Sequence, residues 1–219
     1  MASTTEENYL KALFNLSNSQ GEVNLSELAH SLQVSLPTAN SMVKSLQKSG
    51  WVNYEKYKPL LLTPAGQKEA ALIIRKHRLT EMFLVKKMGF GWEEVHEIAE
   101  QVEHIHAPKF FQRMDEMMGF PTIDPHGSPI PDKLGRIQEI HYTPLSSCKP
   151  GQLVQLTALT NSSTEFLEFL NSRKLALGTE LRILSREAYD SSVVVSYEGH
   201  MNETLSEKVS ERLLVRALE

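Results

Sequence analysis

Apolar positions near the start of the chain follow a helical period. Tyr9, Leu10, Leu13 and Leu16 share one face of a segment from Glu6 to Ser17, and Gly21 ends that first helix. A second helix is expected over Glu27–Leu32, with Ser26 as its N-cap and Leu25 before it. After the short turn Gln33–Ser35, a third helix is predicted from Leu36 to Lys48: Ser35 caps it, Pro37 suits its first turn, and Gly50 is placed to stop it. Its inward residues are Ala39, Met42, Val43 and Leu46, which leaves Thr38, Asn40, Ser41 and Lys44 outside. Trp51–Tyr54 and Pro59–Thr63 then read as two strands flanking a basic, aromatic tip, Glu55–Lys58. Helix, helix, turn, helix, hairpin is the order of a winged helix-turn-helix.

Beyond residue 75 the helical period continues, but its polar positions change in kind. His77 and Glu81 are four apart and share a face, while His96, Glu100, Glu103 and His104 are expected within about 100° of one helix. Their apolar borders are Met82, Phe83, Ile98, Val102 and Ile105. A solvated face with scattered ion pairs would explain any one of these residues. Together on two helices they are costly to bury without a cation, so the joint pattern points to a metal. Imidazole and carboxylate without thiolate suit Mn²⁺ or Fe²⁺, with Zn²⁺, Co²⁺ or Ni²⁺ able to bind in vitro. From Gly151 onward the pattern shifts to short β-type runs at Leu153–Leu156, Leu181–Leu184, Val193–Tyr197 and Leu213–Val215, with a short helix over Glu165–Leu170.

Length and charge refine this picture. A chain of 219 residues suits two or three compact units, and 41% hydrophobic with 23% charged residues is ordinary for a soluble globular protein. Apolar stretches are far shorter than a membrane span and no secretory pattern opens the chain, so the expectation is a cytoplasmic protein without membrane contact. The one cysteine, Cys148, falls in a Ser-Ser-Cys-Lys-Pro-Gly stretch that reads as a linker. A net charge of -4 does not itself suggest nucleic acid. Placement does: Lys44 and Lys48 fall on the third helix and Lys56 and Lys58 on the hairpin. Ser35, Pro37, Thr38, Asn40, Ser41, Lys44, Lys56 and Lys58 are the candidate DNA contacts, short polar groups for base edges and lysines for phosphates. The alternative is a helical domain that merely packs against something else.

Glu-Asn-Tyr-Leu at 7–10, Leu-Pro-Thr-Ala-Asn-Ser at 36–41, Leu-Thr-Pro-Ala-Gly at 62–66, Arg-Lys-His-Arg-Leu-x-Glu at 75–81 and Val-His-Glu-x-Ala-Glu-x-x-Glu-His at 95–104 are together similar to one family. The chain resembles, over nearly its whole length, the diphtheria toxin repressor (DtxR/MntR) family of iron- and manganese-dependent repressors. The resemblance implies a mainly α protein with a small β domain: a winged helix-turn-helix over 1–75, a helical metal-binding and dimerisation domain over 76–145, and an SH3-like (FeoA-like) barrel over 146–219. It also implies two metal positions. One uses Glu100, Glu103, His104 and position 8, here Asn8; the other uses His77, Glu81 and His96, joined in some members by Asp124, His126 and a carboxylate for which Glu165 is the candidate. Glu100 stands where iron-type members carry Cys, which leans towards manganese, and Asn8 departs from the family's Met or Asp.

The function expected is a metal-dependent repressor, not an enzyme, binding a palindromic operator as a homodimer through apolar helix faces around Trp92–Met118 and controlling metal-uptake genes. A metalloenzyme with a His/Glu helical site and a metal-independent winged-helix regulator are the rivals. The pairs Glu93/His96 and Glu103/His106 match the Glu-x-x-His of di-iron bundles, but they fall on one predicted helix and point to different sides of it, where such a site needs them on facing helices.

Overall fold

The computed structural model describes residues 2–160 and 162–218. Its helices and strands, in chain order, are α1 (Thr4–Leu16), β1 (Glu22–Val23), α2 (Leu25–Ser31), α3 (Leu36–Lys48), β2 (Val52–Asn53), β3 (Leu60–Leu62), α4 (Pro64–Phe83), α5 (His96–Val102) and α6 (Pro108–Met118). The C-terminal part follows with β4 (Thr143–Pro144), β5 (Leu153–Leu159), α7 (Thr164–Ser172), β6 (Glu180–Arg186), β7 (Val193–Tyr197), β8 (His200–Leu205), α8 (Glu207–Ser210) and β9 (Leu213–Ala217). The chain forms two compact units: 1–83 with 97–122 and 130–138, and 84–96 with 123–129 and 139–219. Within the first unit α4 packs along both α1 and α6.

In the first unit, Leu10, Leu13, Leu28, Ala39, Val43, Leu46 and Leu60 bury one continuous core beneath α1, α2, α3 and the three-stranded sheet β1-β3-β2. The hairpin is therefore part of a sheet to which β1, not expected from the sequence, adds an edge. Helix α2 begins two residues earlier than predicted, at Leu25, with Asn24 as N-cap in place of Ser26. Ser35 does cap α3, its side chain accepting from the Thr38 N–H at 3.3 Å. A second core joins α4 to α6 through Leu79, Phe111, Met114, Met118 and Ile130. Arg75 holds the segment after it in place, donating to Asp115 Oδ2 at 2.5 Å and to the Pro131 carbonyl at 2.6 Å.

Helix α4 starts directly from the hairpin. Thr63 Oγ1 accepts from the Gly66 N–H at 3.1 Å and donates to the Gly50 carbonyl at 2.6 Å, so one side chain ties the helix start to the end of α3. Gly66 is dictated by the crowding there: a Cβ on it would lie 2.0 Å from the Trp51 carbonyl oxygen.

The second unit is a six-stranded antiparallel sheet, order β4-β9-β5-β6-β7-β8, bent by register shifts between Leu156 and Ala158, Ile183 and Ser185, and Val195 and Tyr197. Alternate residues of β5 and β7 enter a core with Leu167, Leu170, Leu175 and Leu213. Cys148, expected in a linker, is buried in that core, and Trp92, expected on a dimerising helix, packs against it. Strand β8 was not foreseen, since His200-Met-Asn-Glu-Thr-Leu205 buries only its last residue and has no apolar alternation to read.

The Gly66 contact makes a prediction. Gly66→Ala forces the wing and α4 apart and should cost about 1–3 kcal/mol, the usual range for overpacking; chemical denaturation checks it, and an unchanged midpoint contradicts the packing described.

Candidate metal centre

The cluster of glutamates and histidines around Glu103 lies within the first unit. Glu7 and Lys11 lie one turn apart on α1 and so share a face. Glu7 Oε2 is 2.6 Å from His104 Nδ1, and its Oε1 is 3.5 Å from Lys76 Nζ on α4. Lys11 Nζ donates to Glu100 Oε1 at 2.6 Å and lies 2.8 Å from each Glu103 carboxylate oxygen. His77 joins the two halves: its Nδ1 faces Glu103 Oε2 at 2.6 Å and its Nε2 faces Glu81 Oε1 at 3.0 Å. Glu103 is wholly buried, and Glu7, His77 and Glu81 nearly so.

Four carboxylates thus meet two ammonium groups and two imidazoles in a largely buried cluster, with Glu100 at its solvent edge. A neutral imidazole has one N–H, so a ring with carboxylates at both nitrogens is best satisfied when doubly protonated. Burial alone would lower the His77 pKa, but hydrogen bonds to Glu103 and Glu81 outweigh it and raise the pKa to about 9. Burial pushes Glu103 upward, yet His77 and Lys11 together hold its carboxyl below the usual value. The result is a dense set of oxygen and nitrogen donors already organised around positive charge. That chemistry fits a hard or borderline divalent cation such as Mn²⁺ or Fe²⁺.

The expected stripe His96, Glu100, Glu103, His104 does not persist as one helix. Helix α5 stops at Val102: the Glu103 N–H still donates to Ala99 O at 2.9 Å, but Ile105 N–H turns back to Val102 O at 3.0 Å. Pro108 opens α6, and the residue before a proline is driven out of helical geometry, as Ala107 is at φ -130° and ψ 83°. Glu103 and His104 therefore leave α5 at a turn. The same turn places Glu103 and His106 after α5, and Glu93 precedes it, so neither Glu-x-x-His pair lies within the helix. His96 is exposed at the start of α5, and Glu100 is half-buried in it.

On α1 the structure puts Glu7, not Asn8, against His104. The reason is phase: Glu7 is three residues before the buried Leu10, whereas Asn8 is rotated about 100° further round. Asn8 is half-buried, and its Oδ1 is buried without a hydrogen-bond partner, an orphaned oxygen of the kind a ligand would satisfy. His77 of one expected ligand group faces Glu103 of the other, Nδ1 to Oε2 at 2.6 Å. Glu7, Lys11 and Lys76 were missed by reading ligand types alone; the α1 period could have found the first two.

In the second unit, Asp124 and His126 are buried in one turn. Asp124 Oδ1 accepts from the backbone N–H groups of His126 and Ser128 at 2.8 and 2.9 Å. The His126 ring stacks on Trp92, and its Nε2 donates to the Trp92 carbonyl at 2.9 Å. Gly127 at φ +89° would bring a Cβ within 2.3 Å of the Thr157 carbonyl oxygen, so this turn is seated tightly on β5. Glu165 is exposed in the first turn of α7.

Helix α3 and the hairpin expose most of the polar groups expected there. Thr38, Ser41 and Lys44 are exposed on α3, with Ser35 and Pro37 at its start. Tyr54 OH donates to Asn40 Oδ1 at 2.7 Å, and Gln47 Nε2 donates to the Tyr54 carbonyl at 2.8 Å, so the hairpin fixes the Asn40 amide. Lys56 lies over the Tyr57 ring and Lys58 pairs with Glu55 at 2.7 Å.

Residues 1–60 match the model of an iron dependent repressor N-terminal DNA binding domain, 63–132 that of an iron dependent repressor metal binding and dimerisation domain, and 143–217 that of a FeoA domain. The chain is 31% identical to the iron-dependent repressor IdeR of Mycobacterium tuberculosis (strain ATCC 25618 / H37Rv), over 73% of this chain and 67% of the relative. It is 26% identical to the diphtheria toxin repressor of Corynebacterium diphtheriae (strain ATCC 700971 / NCTC 13129 / Biotype gravis), over 89% of each chain. A solved manganese-dependent transcriptional repressor in complex with manganese superposes with a TM-score of 0.88 at 30% identity, over 97% of this chain and 99% of that one. ScaR with bound Zn²⁺ superposes with a TM-score of 0.79 at 29% identity, over 97% of this chain and 99% of that one. The chain belongs to the DtxR/MntR family of metal-dependent transcriptional repressors.

Proposed function

We propose that the protein is a Mn²⁺- or Fe²⁺-dependent transcriptional repressor that binds a palindromic operator as a homodimer in the cytoplasm and controls metal-uptake genes. The observation that carries this reading is the buried Glu103 carboxylate, bonded at once to α1 through Lys11 and to α4 through His77. A charge cluster there links the first helix of the DNA-binding segment to the helices that follow the wing. Glu100, Glu103, His104 and Glu7 would hold one ion, with the Asn8 amide oxygen as a further donor. For a second position, the residue types support His77, Glu81 and His96, with Asp124, His126 and Glu165 as the family-type additions. A bound divalent cation supplies the positive charge that lets these carboxylates stay ionised together. Glu7 and His104 then tie α1 to the turn after α5, which limits the orientations the reading head can take. The named relatives are repressors, which leaves the metalloenzyme alternative without support.

Two such heads on one dimer would meet successive major grooves of a two-fold operator. Ile105, Phe110, Met117 and Phe120 are exposed large apolar groups on or beside α6, and Phe110 and Met117 share a face of it. They support a dimer face on α6 rather than at Trp92. Among the described residues no helix is long and apolar enough to cross a membrane.

Gel retardation of the promoter fragments upstream of the host's own metal-uptake genes tests the function. Mn²⁺ should be required for the shift, and Glu103→Gln should raise the Mn²⁺ needed by more than the roughly 10–100-fold cost of losing an outer partner. A shift indifferent to metal sinks the reading. Phe110→Asp with Met117→Asp should turn the dimer into a monomer in sedimentation and weaken the shift; a dimer that survives moves the interface elsewhere. In the metal-free protein, the raised His77 pKa sets the sign of a pH effect. The stabilisation is complete below the free-imidazole value of 6.5 and is lost as pH rises through about 9. The thermal midpoint should fall between pH 7 and about 9.5, with a shallower fall in His77→Gln; equal slopes would contradict it.

A further inference from the structure

Lys11 is the residue at the centre that the metal-binding reading leaves unexplained. Its ammonium touches three carboxylate oxygens, one on Glu100 and both on Glu103, at 2.6 to 2.8 Å. Its side chain is 14% exposed and that of Glu103 is 0% exposed, so this is an ion pair largely removed from water. Such a pair is sustained by geometry, because a buried carboxylate deprived of its partner is left with an uncompensated charge. Lys is also suited to leaving: its charge is compact and rides on a flexible four-carbon stem.

We infer that Lys11 is a built-in competing cation, which occupies the Glu100–Glu103 carboxylates in the metal-free protein and sets the metal concentration at which the repressor responds. The inference rests on the assignment of Glu100 and Glu103 as metal ligands. An ammonium and a divalent ion draw on the same oxygens, and both Glu103 oxygens are already engaged, so an ion takes that carboxylate only as Lys11 gives it up. The exchange occurs on α1, which also carries Glu7, the partner of His104. Withdrawal of one positive group and engagement of the other carboxylate on the same helix therefore change how α1 is anchored. In the metal-free state Lys11 keeps Glu103 neutralised and the helices packed; in the loaded state its loss is part of the cost that binding must overcome.

The test is a Mn²⁺ titration of the full chain in competition with a fluorescent indicator, for the wild type, Lys11→Met, Lys11→Arg and Glu103→Gln. Lys11→Met should bind Mn²⁺ at least about tenfold more tightly, within the usual range of coupling between two sites. Lys11→Arg keeps the charge on a rigid bidentate fork and should bind Mn²⁺ no more tightly than the wild type. Without metal, Lys11→Met should melt below the wild type, a readout independent of repression. Should Lys11→Met not fold, Lys11→Gln in the same titration decides. Equal or weaker Mn²⁺ binding by a folded, charge-free variant overturns the role of Lys11 while leaving the metal site standing. A wild type that binds no Mn²⁺, or a Glu103→Gln that binds it unchanged, overturns the metal assignment itself and the inference with it.

Discussion

The first unit depends on one buried charge. Placing the Glu103 carboxylate out of water costs several kcal/mol in any protein unless it is paired and hydrogen-bonded. Here the compensation comes from residues far away in sequence, Lys11 of α1 and His77 of α4. Because neither partner is local, satisfying Glu103 requires α1, α4 and the turn after α5 to be in place together. The charge is thus a structural specification as well as a chemical one: with the Glu7–His104, Lys76–Glu7 and Arg75–Asp115 contacts, it adds directional register to the non-directional apolar packing of the helices.

That register reaches the DNA-reading surface through rigid elements. Helix α4 runs unbroken from Pro64 to Phe83, a length of about 30 Å at the usual rise. Its first turn is pinned to Trp51 and Gly50 and its later turns carry His77 and Glu81. Helix α1 reads the centre through Glu7 and Lys11 while its Leu10 and Leu13 pack in the core shared with α3. Through Lys11 and His77, Glu103 meets the same two helices whose residues share a core with α3, the proposed recognition helix.

Much of this was legible in the chain. The periods of α1 and α3, the Ser35 cap, the Pro37 start and the hairpin all follow from local rules that the core later reinforces. The ligand types at 77, 81, 100, 103 and 104 stood out because such side chains rarely gather beside apolar neighbours. What escaped was set by tertiary context. Pro108 ends the possibility of one long helix through residues 96–118, and that break, not the spacing, decides where Glu103 and His104 face. Glu7 looked like an ordinary acidic first-turn residue, and Asn8 drew notice only through resemblance. Cys148 and Trp92 were misplaced because β-domain cores take residues from loops that carry no periodic signal.

The weak charge of the reading head fits the same design. Lys58 is paired with Glu55, but both are well exposed, and an exposed pair of this kind contributes at most about 1 kcal/mol, so a phosphate can take the lysine at little cost. A head with few free lysines binds any DNA poorly when alone, because phosphate contacts supply most of the sequence-independent affinity. Joining two heads at a fixed spacing makes the second contact intramolecular and multiplies affinity without new charges. In the proposed function, control rests less on the surface lysines, which salt screens, than on the buried centre that joins α1 to α4. A strongly basic head would defeat that arrangement by binding DNA whatever the state of Glu103.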